Sequence, residues 1–338
     1  MSFSLGIVGL PNVGKSTLFQ ALTRNKVEAS NYPFCTIDPN VGVVPVPDPR
    51  LVQLAELSKS EKIIPTAIEF VDIAGLVQGA SEGEGLGNKF LSHIREVDAI
   101  VQVVRKFSDS NVTHVHGNID PEYDKQIINL ELIMADLDTV TKHLEKVISK
   151  MKGPYDKILD KEKVLLEKVK ATLDENKLAN TLELDEEESK ILKQLNLLSI
   201  KPIIYLYNID EADVDKDLGL PEHSLAICAK TEAELADLDP VEASEYLKEL
   251  GIEKSGLENL IVTSYKLLNL LTFLTTGPEE TKAWTTTDGA KAPQAAGVIH
   301  TDFEKGFIRA EVINWEELLD AGGWNQAREA GKMRMEGK

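Results

Sequence analysis

The sequence predicts an α/β fold: a mostly parallel sheet wrapped by helices, interrupted by a projecting helical arm and followed by a small α+β unit. Three observations carry that expectation. Five short apolar runs have strand length and β-branched content, at 3–8, 41–46, 67–73, 99–104 and 202–207. The first of them feeds directly into a glycine loop and a helix. Residues 128–195 have a different texture, rich in Glu, Lys and Leu without a strand-like run.

Taken in chain order, 3–8 reads as a buried strand and 15–23 as the helix that follows it. The next three runs and 202–207 complete the sheet. Within the interruption, Leu130, Ile133, Leu137, Val140, Leu144, Val147 and Met151 recur at alternating steps of three and four, the seam of a coiled coil. Lys152-Gly153-Pro154 breaks that helix, and Leu159, Leu166, Val169 and Leu173 repeat a weaker seam with Glu162 at a core position. Two antiparallel helices zipped into an arm satisfy both stripes. Helices lying on the main core satisfy them as well, because periodicity does not say what a stripe packs against.

From Gly277 onward come Trp284, a Thr-rich stretch, Gly-Ala-Lys-Ala-Pro at 289–293 and alternating segments such as 306–312. A small β-rich unit is expected there, near the marginal size for a domain and so incomplete. The predicted boundaries are 1–127 plus 196–276 for the first domain, 128–195 for the inserted arm and 277–338 for the last unit.

The chain has 338 residues, and its 37 Lys+Arg against 56 Asp+Glu give a formal charge of −19. Such an acidic surface is repelled by phosphate backbones, so indiscriminate nucleic-acid coating is excluded, and RNA docking needs a local basic patch. The first residues lack a signal-peptide pattern and no run approaches 18 apolar residues, which argues against secretion and membrane spanning. Cys35 and Cys228 lie far apart without metal-ligand spacing, so free thiols in a reducing cytoplasm are expected.

Gly9-Leu10-Pro11-Asn12-Val13-Gly14-Lys15-Ser16 matches G-x-x-x-x-G-K-[ST] between a strand and a helix. The pattern arises by chance in roughly one chain of this length in a hundred. Its glycines let backbone N–H groups point at phosphate oxygens, Lys15 brings charge to the β and γ phosphates, and Ser16 offers a hydroxyl to magnesium. A nucleoside triphosphate held by Asn12, Val13, Gly14, Lys15, Ser16 and Thr17 is the expected ligand. Asp72-Ile73-Ala74-Gly75 places a carboxylate near the metal's water shell and a glycine N–H at the γ-phosphate. With Thr36 between them as a further metal ligand, these parts form a phosphate loop and two switches. Gly79, Ser81, Gly83, Gly85 and Gly87 read as a second switch ordered by the γ-phosphate.

Pro-Asn-Val-Gly-Lys-Ser-Thr, Tyr-Pro-Phe-Cys-Thr, the glycine-rich continuation of Asp-Ile-Ala-Gly, and Pro-Gln-Ala-Ala-Gly-Val-Ile-His-Thr-Asp-Phe-Glu-Lys-Gly-Phe at 293–307 resemble the YchF/Obg-like ATPases over nearly the whole chain. The resemblance implies a Ras-like P-loop nucleotide domain, an inserted coiled-coil arm, a C-terminal TGS-like (β-grasp) domain and association with ribosomes.

Ordinary GTPases read guanine with N-K-x-D after a core strand. Here 202–207 is followed by Asn208-Ile209-Asp210-Glu211, with no lysine at 209 and a longer carboxylate at 211. A carboxylate displaced by more than about 1 Å spoils a site built for paired hydrogen bonds, so guanine specificity should weaken or vanish. The resemblance agrees, since its members carry N-x-x-E and prefer ATP. Asn208 is then assigned to the base, Ile209 to an apolar stacking surface, and Glu211 to the reader position. The adjacent Asp210 leaves open a shifted register with its own acidic reader. Ala226-Ile227-Cys228-Ala229-Lys230 resembles the S-A-K element that closes over the base, with Cys228 in the serine position, after a 211–228 stretch shorter than the family's.

Leu76 stands where Ras-like enzymes keep a water-orienting glutamine, so hydrolysis is expected to be slow or to use another group. The resemblance points to His114, which joins Lys15 and Gly75 as the catalytic set, while His116 reads as a solvated imidazole. Members carry Cys where this chain has Lys106. Asn12 is either a potassium ligand or simply a residue suited to a tight turn. The combined reading is a cytoplasmic, monomeric, magnesium-dependent ATPase of low intrinsic rate, bound to the large ribosomal subunit and through it to RNA. A GTPase on the same fold, or an RNA or ribosome adaptor in which hydrolysis is incidental, are the alternatives.

Overall fold

A computed structural model describes residues 3–24, 40–73, 87–109, 112, 119–153 and 155–337. In chain order its first elements are β1 (Ser4–Val8), α1 (Lys15–Arg24), β2 (Val41–Pro45), α2 (Arg50–Ser58), β3 (Lys62–Ile64), β4 (Ala67–Asp72), α3 (Gly87–Glu96) and β5 (Ala99–Arg105). The arm follows as α4 (Pro121–Lys150), α5 (Lys157–Asp174) and α6 (Glu186–Lys193). The chain then returns through β6 (Ile203–Asn208), β7 (Ser224–Ile227), α7 (Ala229–Leu235), α8 (Pro240–Glu249) and α9 (Gly256–Leu267). It ends with β8 (Leu270–Thr276), β9 (Glu280–Thr287), α10 (Ala292–Ile299), α11 (Thr301–Lys305), β10 (Arg309–Val312), α12 (Trp315–Ala321), α13 (Trp324–Glu329) and β11 (Arg334–Gly337).

Six strands form the main sheet in the order β2-β4-β1-β5-β6-β7, all parallel except β2, which runs antiparallel to β4. All five expected runs are strands of this sheet. Every residue of β5 is buried, as a central parallel strand covered on both faces requires. The edge strand β7 escaped the sequence reading because its four residues are too few to show a pattern. The loops leaving β1, β4, β5, β6 and β7 all emerge at one edge of the sheet, the carboxyl edge where open α/β sheets bind ligands.

The arm divides its seam between two cores. Ile128 and Leu132 at the start of α4 pack into the sheet core. Farther along, Ile133, Val140, Leu144 and Val147 meet Leu165, Leu166, Val169 and Leu173 of α5 in a separate cluster. Leu130 is therefore not a seam residue; it is 44% exposed, because the first turns of α4 are oriented by the sheet rather than by α5. Glu162 is accommodated by His143, whose Nε2 lies 2.7 Å from its carboxylate. At the base of the arm the buried Asp136 carboxylate accepts from the Leu198 and Ser199 N–H groups and from the Ser199 hydroxyl, at 2.9, 2.7 and 2.6 Å. That contact fixes where the chain leaves the arm for β6.

The last unit is more helical than the β-rich expectation, since 289–305 forms α10 and α11 and only Arg309–Val312 of the alternating 306–312 segment is a strand. Its larger sheet, β3-β9-β8, begins at Leu270, ahead of the expected boundary at 277, and borrows β3 from the first domain. Leu54 of α2 packs with Leu318 and Ala327, and the Ser60 hydroxyl donates to the Gly277 carbonyl at 2.6 Å. Among the described residues no helix is long and apolar enough to cross a membrane.

Candidate nucleotide site

The loop between β1 and α1 is shaped by what surrounds it. Leu10 and Val13 bury their side chains and pin it to the sheet. Gly14 sits at φ +97°, and a Cβ there would run into the side-chain amide of Asn208, so glycine is required twice over. Asn12 is left-handed at φ +62°, a conformation asparagine tolerates better than most residues.

Lys15 opens α1 and is buried, its Nζ donating to the Leu10 carbonyl at 2.6 Å. Burial pushes its pKa down to about 8, against the opposing pull of the Asp72 carboxylate. Asp72 ends β4 in register with Ile7 of β1 and is 8% exposed. Ser16 and Thr17 are exposed on the first turn of α1, which carries no acidic residue. An exposed helix start with one partly desolvated cation beneath it suits a phosphate chain. No cluster of three or more His, Cys, Asp or Glu occurs among the described residues. The Ser16 hydroxyl and Asp72 carboxylate are nonetheless the oxygen donors that magnesium takes from a protein when phosphate and water supply the rest.

Beyond the loop a cavity of about 680 Å³ opens, lined among others by Gly14, Thr17, Phe107, Ile209, Glu211 and Cys228. The fourfold segment 208–211 divides its work. Asn208, expected at the base, lines the cavity and bonds two backbone groups: its Nδ2 donates to the Val13 carbonyl and its Oδ1 accepts from the Ala229 N–H, both at 3.0 Å. It braces the phosphate loop against the loop that closes the cavity. Ile209 lines the cavity while packing with Val104, Tyr207 and Cys228. Asp210 also lines the cavity, and one of its carboxylate oxygens accepts from the Ser108 N–H and hydroxyl, both at 3.0 Å. Glu211 accepts from the Tyr246 hydroxyl at 3.5 Å and lies 3.8 Å from Lys230 Nζ. Cys228 is a buried free thiol at the N-cap of α7, without the capping bond a serine hydroxyl can make, and Ala229 beside it is buried.

Phe107 was missed by the sequence reading, as was the Arg24–Asp237 ion pair that also lines the cavity. The signal was Arg105-Lys106-Phe107, which closes β5 and leads into the loop after it. Thr36, Cys35, Gly75, Leu76, Gly79, Ser81, Gly83, Gly85, His114 and His116 lie outside the described residues. Gly87 is described, at φ +67° at the start of α3.

Comparison with known proteins places this geometry. Residues 4–135 match a family model described as a 50S ribosome-binding GTPase, and 270–338 match the YchF-GTPase C-terminal model, described as a protein of unknown function. The chain is similar to the ribosome-binding ATPase YchF of Bacillus subtilis, 53% identical over 100% of this chain and 96% of that protein. It is 51% identical to the protein of the same name from Escherichia coli O157:H7, again over 100% and 96%. Among solved structures, the YchF GTPase of Schizosaccharomyces pombe superposes with a TM-score of 0.90 at 40% identity, covering 100% of this chain and 94% of that one.

Proposed function

The chain belongs to the YchF family, and from that premise we propose that it is a ribosome-binding ATPase whose P-loop domain uses the residues described above to hold and hydrolyse ATP. The observation that carries the base preference is the 208–211 segment, where the position that pairs with guanine holds Glu211 and the neighbouring Asp210 is turned to Ser108.

In this reading the phosphates lie on the start of α1, and Lys15 exchanges the Leu10 carbonyl for the β and γ oxygens. Ser16 and Thr36 would hold magnesium, with Asp72 on its water shell, and the ion would supply charge stabilisation for phosphoryl transfer. The Gly75 N–H meets the γ-phosphate and His114 orients the attacking water. Adenine sits between Phe107 and Ile209, with the Cys228–Ala229 backbone closing over it and Asn208 bracing both loops. Catalysis by positioning and fixed charge, without a glutamine at 76, gives a low intrinsic rate that a partner can raise. A potassium ion at Asn12 belongs to the same proposal and is tested by comparing turnover in potassium and sodium buffers.

The 50S wording of the matching family model supports the large subunit as partner. Contact with ribosomal RNA and a cytoplasmic monomer as the working form belong to the same proposal. The experiment is ATP hydrolysis by the purified chain with and without 50S subunits, alongside co-sedimentation. Stimulated turnover and ATP-dependent pelleting are expected; turnover indifferent to ribosomes, with no pelleting, contradicts the proposal. A GTPase is the second reading, favoured by the GTPase wording of the fission-yeast structure. Competition between the two nucleotides separates them.

A further inference from the structure

Arg105, at the end of β5, is the largest side chain fully buried among the described residues, at 1% exposure. A guanidinium is rarely taken out of water without a complete set of partners, because each unmet donor is costly. Here Nε donates to the Phe107 carbonyl at 3.3 Å and Nη2 to the Asp109 carbonyl at 3.2 Å. Nη1 has no partner among the described residues. What the cation does have is the Phe107 ring, whose centroid lies 4.3 Å from its Cζ. The chain turns back over its own arginine, and one face of Phe107 rests on that cation while the residue lines the cavity.

The same four-residue turn is held from the other side. The Lys106 N–H donates to the Asn208 carbonyl at 2.8 Å, and the Asp210 carboxylate takes both the N–H and the hydroxyl of Ser108 at 3.0 Å. Phe107 is thus flanked by two neighbours anchored to the 208–211 segment, Lys106 through the Asn208 carbonyl and Ser108 through the Asp210 carboxylate, while its own carbonyl and ring meet the buried cation.

We propose that Arg105 and Asp210 are positioning residues that clamp Phe107 as the stacking wall for the base, so that part of the base affinity is set by the clamp and not by hydrogen bonds to the base edge. This inference rests on reading the cavity as the base site. A wall fixed before binding gives a base its stacking partner without the entropy of ordering a loop. The clamp also gives Asp210 a role in recognition that its sequence position, next to the guanine-reading register, does not suggest.

The test compares ATP with inorganic tripolyphosphate, which shares the phosphate loop but has no base, by calorimetry with magnesium on the full chain. Asp210→Ala is expected to weaken ATP about five- to tenfold and leave tripolyphosphate unchanged, whereas Asp210→Asn, which keeps an acceptor for Ser108, stays near wild type. Phe107→Ala is expected to lose at least as much ATP affinity, and adding Asp210→Ala to it should cost little more, since the clamp then has nothing to hold. Arg105→Met should follow Asp210→Ala; if that variant does not fold, the Asp210 and Phe107 cycle decides alone. Unchanged ATP affinity in Asp210→Ala, losses that add in the double variant, or an equal loss of tripolyphosphate overturns the clamp. Wild-type protein that binds ATP no better than tripolyphosphate would instead sink the base-site reading together with the clamp.

Discussion

The Nζ of Lys15 donates to the carbonyl oxygen of Leu10 at 2.6 Å, inside the very loop it serves. Without phosphate this buried cation has one backbone acceptor and the opposing field of Asp72, and its pKa falls to about 8. Phosphate oxygens supply the missing negative charge, so binding must raise that pKa.

The sign of the pH dependence follows. Below about pH 8 Lys15 is charged both free and bound, and affinity is flat. Above it the free protein is deprotonated at Lys15 and must take up a proton to bind, so ATP affinity falls by up to about tenfold per pH unit. Calorimetry at pH 9 in buffers of different ionisation enthalpy should register proton uptake on binding, and at pH 7 much less. Uptake equal at both values would assign the shifted group elsewhere.

Lys15→Met removes both the charge and its burial cost. It is expected to abolish triphosphate binding while leaving the nucleotide-free protein as stable as wild type or more so. Thermal melts with and without ATP and magnesium check both halves at once.

Asn208→Ala strands two buried backbone groups, the Val13 carbonyl and the Ala229 N–H, and leaves a void. A loss of about 2–4 kcal/mol is expected in urea unfolding, with weaker ATP binding. If Asn208 instead served only the base, stability would be untouched.

Asp136→Ala removes three hydrogen bonds at the base of the arm. Because the carboxylate is buried and its donors would be left unpaired, a loss of about 3 kcal/mol in stability is expected. ATP affinity, set across the sheet, should stay within about threefold of wild type.

His114→Ala is expected to lower turnover by at least about tenfold and leave ATP binding nearly intact, as for a group that acts on the attacking water. Equal losses in both, followed by single-turnover kinetics and calorimetry, would make the residue structural.

Much of this was legible in the sequence because it was written in local patterns. The phosphate loop, the five strand runs and the helix after the first of them depend on neighbours in the chain. The seam of α4 was legible too, except at Leu130, where the sheet and not the heptad decides which face is buried. What escaped was set by distant contacts. The bracing role of Asn208 comes from Val13 and Ala229, 195 and 21 residues away, which bond the two ends of its amide. Phe107 gained its place beside a serine held by Asp210, 102 residues away, and β3 joined a sheet whose other strands begin more than 200 residues later.

The most direct test of the central claim is calorimetric binding of ATP and GTP, side by side with magnesium. With Glu211 in the reader position and Asp210 held by Ser108, ATP should bind at least tenfold tighter, a gap of about 1.4 kcal/mol. GTP binding as tightly as ATP, or more so, would contradict the account of the base site while leaving the phosphate loop intact.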